Sequence, residues 1–401
     1  MTDLENAISN IDNAVKLVDN NHLSKPVYLL NLGLVQKICF ERLGDLSNLQ
    51  NAISHIEKAV KLTDEGHLDK GVYLANLANA QHTRFQRLHH LSNLEKAILN
   101  IENAVELADD QHPDKPGRLL NHGNFQRTRF ECLGDLSDLE NAIASIERAV
   151  KFMDDSHPNK VRHLRSLGIT LQTRFEYLGE QADLVACVAS FSAAGQLKAA
   201  YPYQALSVSR QWAKVSYLNG DLLSALEGYC TALELLPKVA WLGLDTSLRQ
   251  DWLLGAEPET LGCLTATCAI RLGHLEEAAE LLDLGRSVFW KQASSLRSDL
   301  QKLKEDKPEL SEQLERVGRQ LDAGNFSDSA FAVAAENVIG HGRQRTINDV
   351  VRERRLLVTK WEELVERVRQ TASSLQIFSE THSISPSSPG FRSRTGRYPE
   401  C

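Results

Sequence analysis

The sequence predicts an all-α protein, a solenoid of stacked antiparallel helix pairs, and three observations carry the prediction. First, one segment recurs at a step of 45 residues, so that Phe40, Phe85, Phe130 and Phe175 fall in register, as do Leu43, Leu88, Leu133 and Leu178. Second, apolar residues inside each copy are three and four apart: Ala7-Ile8 and Ala14-Val15 return as Ala52-Ile53 and Ala59-Val60, Ala97-Ile98 and Ala104-Val105, then Ala142-Ile143 and Ala149-Val150. Third, Ala, Leu, Glu, Asn and Arg carry the copies while aromatics make up only 6% of the chain, which suits helices better than strands. A fixed period of this size with helical spacing inside it marks a stacked repeat.

Residues 3–19 place Leu4, Ala7, Ile8, Ile11, Ala14, Val15 and Val18 on one helical stripe. Aligned with 48–64, this is a second helix without its first, so the array is expected to open on half a unit with an exposed apolar face, as in a truncated chain or a dimer contact. Four full pairs follow at 26–43 with 46–64, 70–88 with 91–109, 115–133 with 136–154, and 159–178 with 181–199. Gly44, Gly134 and Gly179 stand just past first helices, where a left-handed cap is wanted, and Pro26 and Pro116 stand near helix starts, where a missing N–H does no harm.

The small residues Gly33, Ala78, Gly123 and Gly168 in the first helices, followed by Ala52, Ile56 and Ala59 in the second helix of the first pair, resemble the signature of tetratricopeptide (TPR) repeats. The unit is 45 residues instead of the family's ~34 because both inter-mark steps, Gly33 to Ala52 and Ala59 to Ala78, are lengthened to 19. Beyond residue 200 the steps shorten to the family's own in Ala213, Gly220, Ala225, Tyr229, Ala232 and Pro237, and again in Ala266, Gly273, Ala278, Leu282 and Gly285. The resemblance implies a right-handed superhelical solenoid whose first helices line an inner groove that binds peptides.

Four segments are expected: 1–199 as long TPR-like repeats, 200–293 as further repeats with an inserted link, 294–372 as a helical hairpin or coiled-coil segment, and 373–401 as a disordered tail. In the link, Trp241, Leu244, Leu248, Trp252 and Leu253 suggest a helix. In the third segment, Leu296, Leu300, Leu303, Leu310, Leu314, Val317 and Leu321 make one stripe, and Ile347, Val350, Leu357, Trp361, Leu364 and Val368 another. The tail is rich in Ser, Pro, Gly and Arg. The succession through about 370, including LLDLGRSVFWKQASSLRSDL and PELSEQLERVGRQLDAGNF, also resembles the N-terminal arm of fungal proteins in which such repeats precede a CHAT domain, a caspase- and separase-like cysteine protease fold. That resemblance implies a following α/β domain with a His/Cys dyad. Residues 373–401 do not read as one, so neither His382 nor Cys401 is assigned a catalytic role.

A net charge of −8 argues against a nucleic-acid binder, no apolar run is long enough to span a bilayer, and Met1–Ile11 is too polar for a signal peptide, so a cytosolic or nuclear protein, most simply cytoplasmic, is expected. The seven cysteines Cys39, Cys132, Cys187, Cys230, Cys263, Cys268 and Cys401 include no Cys-x-x-Cys pair and read as reduced packing residues. His22, His67, His112 and His157 recur at the period, but units packed ~10 Å apart cannot share one ion, and a loop or cap role is expected, with no metal and no cofactor. No Gly-rich phosphate loop, Gly-x-Ser-x-Gly or His-Glu-x-x-His motif is present, and no catalytic residue is assigned.

Candidate groove residues are Asn31, Asn76 and Asn121, followed in register by Ser166, together with Arg127, Arg162 and Arg165. Such an amide ladder is similar to those with which some TPR arrays hold an extended peptide, and its plainer role is to bridge neighbouring helices. Arg118 and Lys160 add to a basic stretch, which favours an acidic peptide as ligand. Arg84, Arg129 and Arg174 recur beside the core Phe and suggest salt bridges between repeats. The segment Arg343–Arg369, with eight basic and five acidic residues, reads as a solvated coiled-coil face before a nucleic-acid surface. The sequence thus points to a non-enzymatic interaction scaffold, with the regulatory arm of a CHAT-type protease as the alternative.

Overall fold

The computed structural model describes residues 2–64, 66–239, 257–286, 303–304 and 307–323, with positions 356, 357, 360, 363, 364, 367 and 368 beyond them. Among the described residues there is no strand. The helices are α1 (Thr2–Leu17), α2 (Lys25–Leu43), α3 (Leu46–Lys61), α4 (Lys70–Leu88), α5 (Leu91–Glu106), α6 (Lys115–Leu133), α7 (Leu136–Lys151), α8 (Lys160–Leu178), α9 (Gln181–Gly195), α10 (Pro202–Leu218), α11 (Leu222–Val239), α12 (Pro258–Arg271) and α13 (Pro308–Ala323), and residues 275–286 are also helical. Each of α2, α4, α6, α8 and α10 packs along the helix that follows it, and each second helix also packs on the first helix of the next pair. This is a TPR-like helical solenoid.

Within a pair the helices cross where the small residue sits. A Cβ built on Gly33 would lie 2.6 Å from Ile56 Cγ1 and 2.9 Å from the Ala52 carbonyl, and one on Gly123 would meet Ile146 and Ala142 in the same way. Ala52, Ile56 and Ala59 are accordingly 0% exposed. The pair then turns through a left-handed residue, Gly44 (φ 74°), Gly134 (φ 72°) or Gly179 (φ 73°), whose N–H closes on the carbonyl of Phe40, Phe130 or Phe175. In the second unit His89 takes this conformation without being glycine (φ 55°). The recurring leucines mark that turn and are not core: Leu43, Leu133 and Leu178 are all exposed.

Between pairs, a recurring lysine joins one unit to the next, and Lys160, expected in the basic stretch of the groove, is one of the series. Lys25, Lys70 and Lys115 are buried at the starts of first helices, and their ammonium groups, with that of Lys160, donate to the last carbonyls of the preceding second helix: Val15 and Val18, Val60 and Thr63, Ala108, and Met153. These carbonyls lie in the last turn or just past it, where few are satisfied within the helix and the negative end of its dipole favours a cation. Arg118 adds to the clamp on α5, donating to the Ala104 carbonyl at 2.7 Å.

The recurrent arginines pair inside a unit, not between repeats as expected. Arg129 Nε donates to Asp138 Oδ2 at 2.8 Å and its Nη2 meets Oδ1, joining α6 to α7, and Arg174 holds Asp183 in the same fork between α8 and α9. Both carboxylates are only 2% exposed, and the hydrogen bond to Asp138 raises the pKa of Arg129 above the usual guanidinium value despite partial burial.

On α1 the equivalents of the buried Ala52, Ile53 and Ile56 are Ala7, Ile8 and Ile11, and all three are half-buried, because among the described residues α1 packs mainly on α2. Pro237, which in the family closes a repeat, lies inside α11. Leu310 and Val317 of α13 form a small core with Leu364, flanked by Leu303, Leu314, Leu357 and Val368, so the two expected C-terminal stripes meet. The inserted helix expected at 241–253, Leu296, Leu300, Ile347, Val350, Trp361, and the tail with His382 and Cys401 fall outside the described residues.

Candidate functional site

Successive first helices come together along one face, α4 with α6, α6 with α8 and α8 with α10. Along it the structure ties polar side chains into rungs across unit boundaries. Asn121 Nδ2 on α6 donates to Asn79 Oδ1 on α4 at 3.1 Å, and Ser166 Oγ on α8 donates to Asn124 Oδ1 on α6. The register explains why the series starts there. The residue on α2 matching Asn79 and Asn124 is Leu34, which accepts nothing, and Asn76 instead donates to the Val72 carbonyl of its own helix at 2.9 Å. Asn31 is half-buried on α2.

Asn79 and Asn124 were not among the sequence candidates, although they recur at the same step three residues after Asn76 and Asn121. With Oδ1 engaged, each amide has its orientation fixed and presents Nδ2 as donor. One turn further on, Thr83, Thr128 and Thr173 return their hydroxyls to the carbonyls of Asn79, Asn124 and Ile169, leaving a row of threonine methyls beside the amides.

The basic candidates separate into two groups. Arg162 and Arg165 are exposed on α8, with Arg165 Nε 3.4 Å from Gln211 Oε1 on α10, and Lys214 is exposed on α10 at the place that matches Asn79 and Asn124. Arg127 pairs with Glu131 of its own helix, and its Nε is buried without a hydrogen-bond partner. Arg118 and Lys160 are engaged with second-helix ends and belong to the clamp between units.

Other polar groups behave as struts. Gln36 Oε1 meets His55 Nδ1 at 2.8 Å and Asn100 Nδ2 donates to Gln81 Oε1 at 2.8 Å, joining first to second helix within a pair. In the third unit His122 Nδ1 meets Ser145 Oγ at 3.0 Å and His122 Nε2 meets Glu102 Oε1 at 3.2 Å. The order acid, imidazole, hydroxyl is that of a hydrolase relay. Ser145 is nevertheless buried in the middle of α7, where neighbouring N–H groups are spent on the helix and none faces a developing oxyanion. Burial holds the pKa of His122 below the usual value against the opposing pull of Glu102.

The periodic histidines are turn residues. Nδ1 of His22, His67 and His112 accepts the N–H of Ser24, Asp69 and Asp114 at 3.1 Å, and His157 accepts that of Asn159 at 3.2 Å. Among the described residues no group of three or more His, Cys, Asp or Glu is placed to hold a metal ion, and no helix is long and apolar enough to cross a membrane. Cys39, Cys187 and Cys268 are buried, and burial pushes the thiols of Cys187 and Cys230 up to about 12, so neither is a nucleophile at neutral pH.

No family model matches the chain, and no curated protein matches it. Among solved structures, one described as "Podosopora anserina putative kinesin light chain nearly identical TPR-like repeats" is 16% identical, with 57% of this chain and 98% of that chain covered and a TM-score of 0.36. The assignment as a TPR-like solenoid rests on the helix pairing itself.

Proposed function

We propose that this chain is a non-enzymatic protein–protein interaction scaffold that holds an extended peptide along the face of its first helices. The observation that carries the reading is the pair of rungs Asn121 to Asn79 and Ser166 to Asn124, which orient two amide donors one unit apart. Packed helices are ~8–10 Å apart and an extended chain advances ~3.3 Å per residue, so carbonyls about three residues apart fall opposite Asn79 and Asn124. Main-chain recognition of this kind tolerates varied side chains. The exposed Arg162, Arg165 and Lys214 lie at the α8–α10 end, and they favour a peptide with acidic residues toward that end.

The test is selection of ten-residue peptides from a displayed random library on the intact chain, followed by fluorescence polarisation. Asn79→Ala with Asn124→Ala removes two hydrogen bonds to the peptide worth ~0.5–1.5 kcal/mol each, so affinity is expected to fall ~5- to 150-fold, compared at a temperature well below the variant's own melting because the rungs from Asn121 and Ser166 are lost as well. Arg162→Ala with Arg165→Ala is expected to weaken acidic peptides selectively, and more so at low salt. Failure to enrich any peptide, or equal binding by the amide variant, overturns the reading.

A further inference from the structure

Three buried atoms without a hydrogen bond belong to the facing first helices of one boundary: His82 Nε2 on α4, and Arg118 Nη2 and Arg127 Nε on α6, with Arg118 Nη2 3.8 Å from Asp114 Oδ2. A fourth, Gln126 Oε1 on α6, is at the place that bonds the second helix of its own unit elsewhere, and the other two among the described residues, on Gln204 and Ser209, lie on α10. Chain register accounts for Gln126. Its counterparts Gln36 and Gln81 bond His55 and Asn100, whereas Ser145, the residue matching these in the third unit, is taken by His122. Across the same boundary the His82 ring lies on Phe125, centroids 4.3 Å apart and planes 22° apart. The charge acting on His82 is Arg127 of α6, and no charged group on α3 or α5, the other helices packed along α4, perturbs it.

We propose that the boundary between the second and third units is a hinge that opens on acidification, with His82 as its trigger. The neutral ring suits the stack. An imidazolium there would face the Arg127 guanidinium, and its Nε2–H would have no acceptor. To take a proton the ring must leave Phe125, which parts α4 from α6 and breaks the Asn121 to Asn79 rung that spans the same gap. The other buried histidines at unit boundaries differ in their partners: His122 has Glu102 beside Nε2, and His163 lies between the carbonyls of Asn159 and Pro116, so neither ring faces a guanidinium without an acceptor, although burial lowers the pKa of His163 as far as that of His82.

Burial first, and Arg127 second, hold the closed-state pKa of His82 at about 4 against an ordinary 6.5. A lowered pKa stabilises the closed form fully above the ordinary value, and that stabilisation is lost as pH falls from 6.5 toward 4. At pH 5 these two values make the opening constant about 20-fold larger than at pH 7.

Hydrogen exchange on the full chain at pH 7 and pH 5, corrected for intrinsic rates, tests the hinge. Protection in α4 and α6 is expected to fall about 20-fold at pH 5 while α10 and α11, which carry no histidine, hold. His82→Phe keeps a ring against Phe125 and cannot titrate, so it is expected to retain protection at pH 5. Arg127→Gln, which copies Gln172 of the next unit, removes the like charge and is expected to reduce the acid effect, giving a second reading should His82→Phe fold poorly. Equal acid loss in wild type and both variants, loss spread evenly over the array, or no loss in α4 and α6 overturns the proposal.

Discussion

Two glycines on the same helix, Gly117 and Gly123 of α6, should respond to alanine with opposite signs. Gly117 has nothing within 4 Å of a built Cβ, so Gly117→Ala is expected to stabilise by ~0.5–1 kcal/mol through helix propensity alone. At Gly123 the same Cβ lies 2.5 Å from Ile146 Cγ1, 3.0 Å from Ile146 Cδ1 and 2.8 Å from the Ala142 carbonyl. Ile146 is completely buried and the carbonyl is backbone, so relief requires α6 and α7 to move apart by a few tenths of an ångström along their contact. Overpacking costs ~1–3 kcal/mol, and contacts this short against backbone put Gly123 in the upper part, ~2–3 kcal/mol, so the ~1 kcal/mol gained in propensity leaves a net loss of ~1–2 kcal/mol. The second unit carries Ala78 at this place, fully buried, which bounds the cost: the pair can be built around a methyl, so folding should be weakened and not lost. Thermal and urea unfolding of both variants against wild type is the assay. A Gly123→Ala chain as stable as wild type, or one shifted in the same direction as Gly117→Ala, would refute the close crossing as the organising contact of the pair.

Three further outcomes are expected. Phe130→Ala removes a buried ring that packs edge-on against Tyr177 of the next unit at 5.3 Å, and should cost ~3–5 kcal/mol in urea unfolding; a shift of under a degree or two in melting would contradict its core placement. Asp138→Asn breaks the fork with Arg129 and should cost ~1.5–3 kcal/mol, with little dependence on salt because the carboxylate is buried; a loss that vanishes in 1 M salt would place the pair at the surface. Burial lowers the pKa values of His55, His82, His122 and His163, the second and fourth to about 4, so the melting temperature should fall as pH drops from about 6.5 to 4 and rise with pH across that window. A melting temperature flat over that range would contradict the buried, neutral state of these rings.

The pairing of the helices was legible because in the first three units the step of 45 residues puts each small residue opposite the same Ala and Ile, with Gly168 opposite Phe191 in the fourth, and the first helices Lys70–Leu88 and Lys115–Leu133 begin and end where their periodicity does. The second helices were read three residues too long, for a physical reason. Thr63, Ala108 and Met153 stay buried just beyond the last helical turn, so the apolar stripe continues after the backbone has left the helix. Pairs made across a turn were hidden from a reading based on helical spacing: Asp138 and Asp183, nine residues after Arg129 and Arg174, are on another helix, and the clamp lysines looked like ordinary charged residues at helix starts. On the first-helix face the recurrence of Asn76 and Asn121 was visible. Which amides are held and which are presented depends on the three-residue offset between neighbouring helices, and that is a property of packing.

The most direct test of the scaffold reading is site-specific photocrosslinking. A benzoylphenylalanine placed at Thr83 or Thr128, beside the oriented amides, is compared with one at Leu99 or Val185, both exposed on second helices. With a library-selected peptide bound, crosslinks are predicted from Thr83 and Thr128 and not from Leu99 or Val185. Crosslinks from the second-helix positions, with none from the first-helix face, would contradict the account.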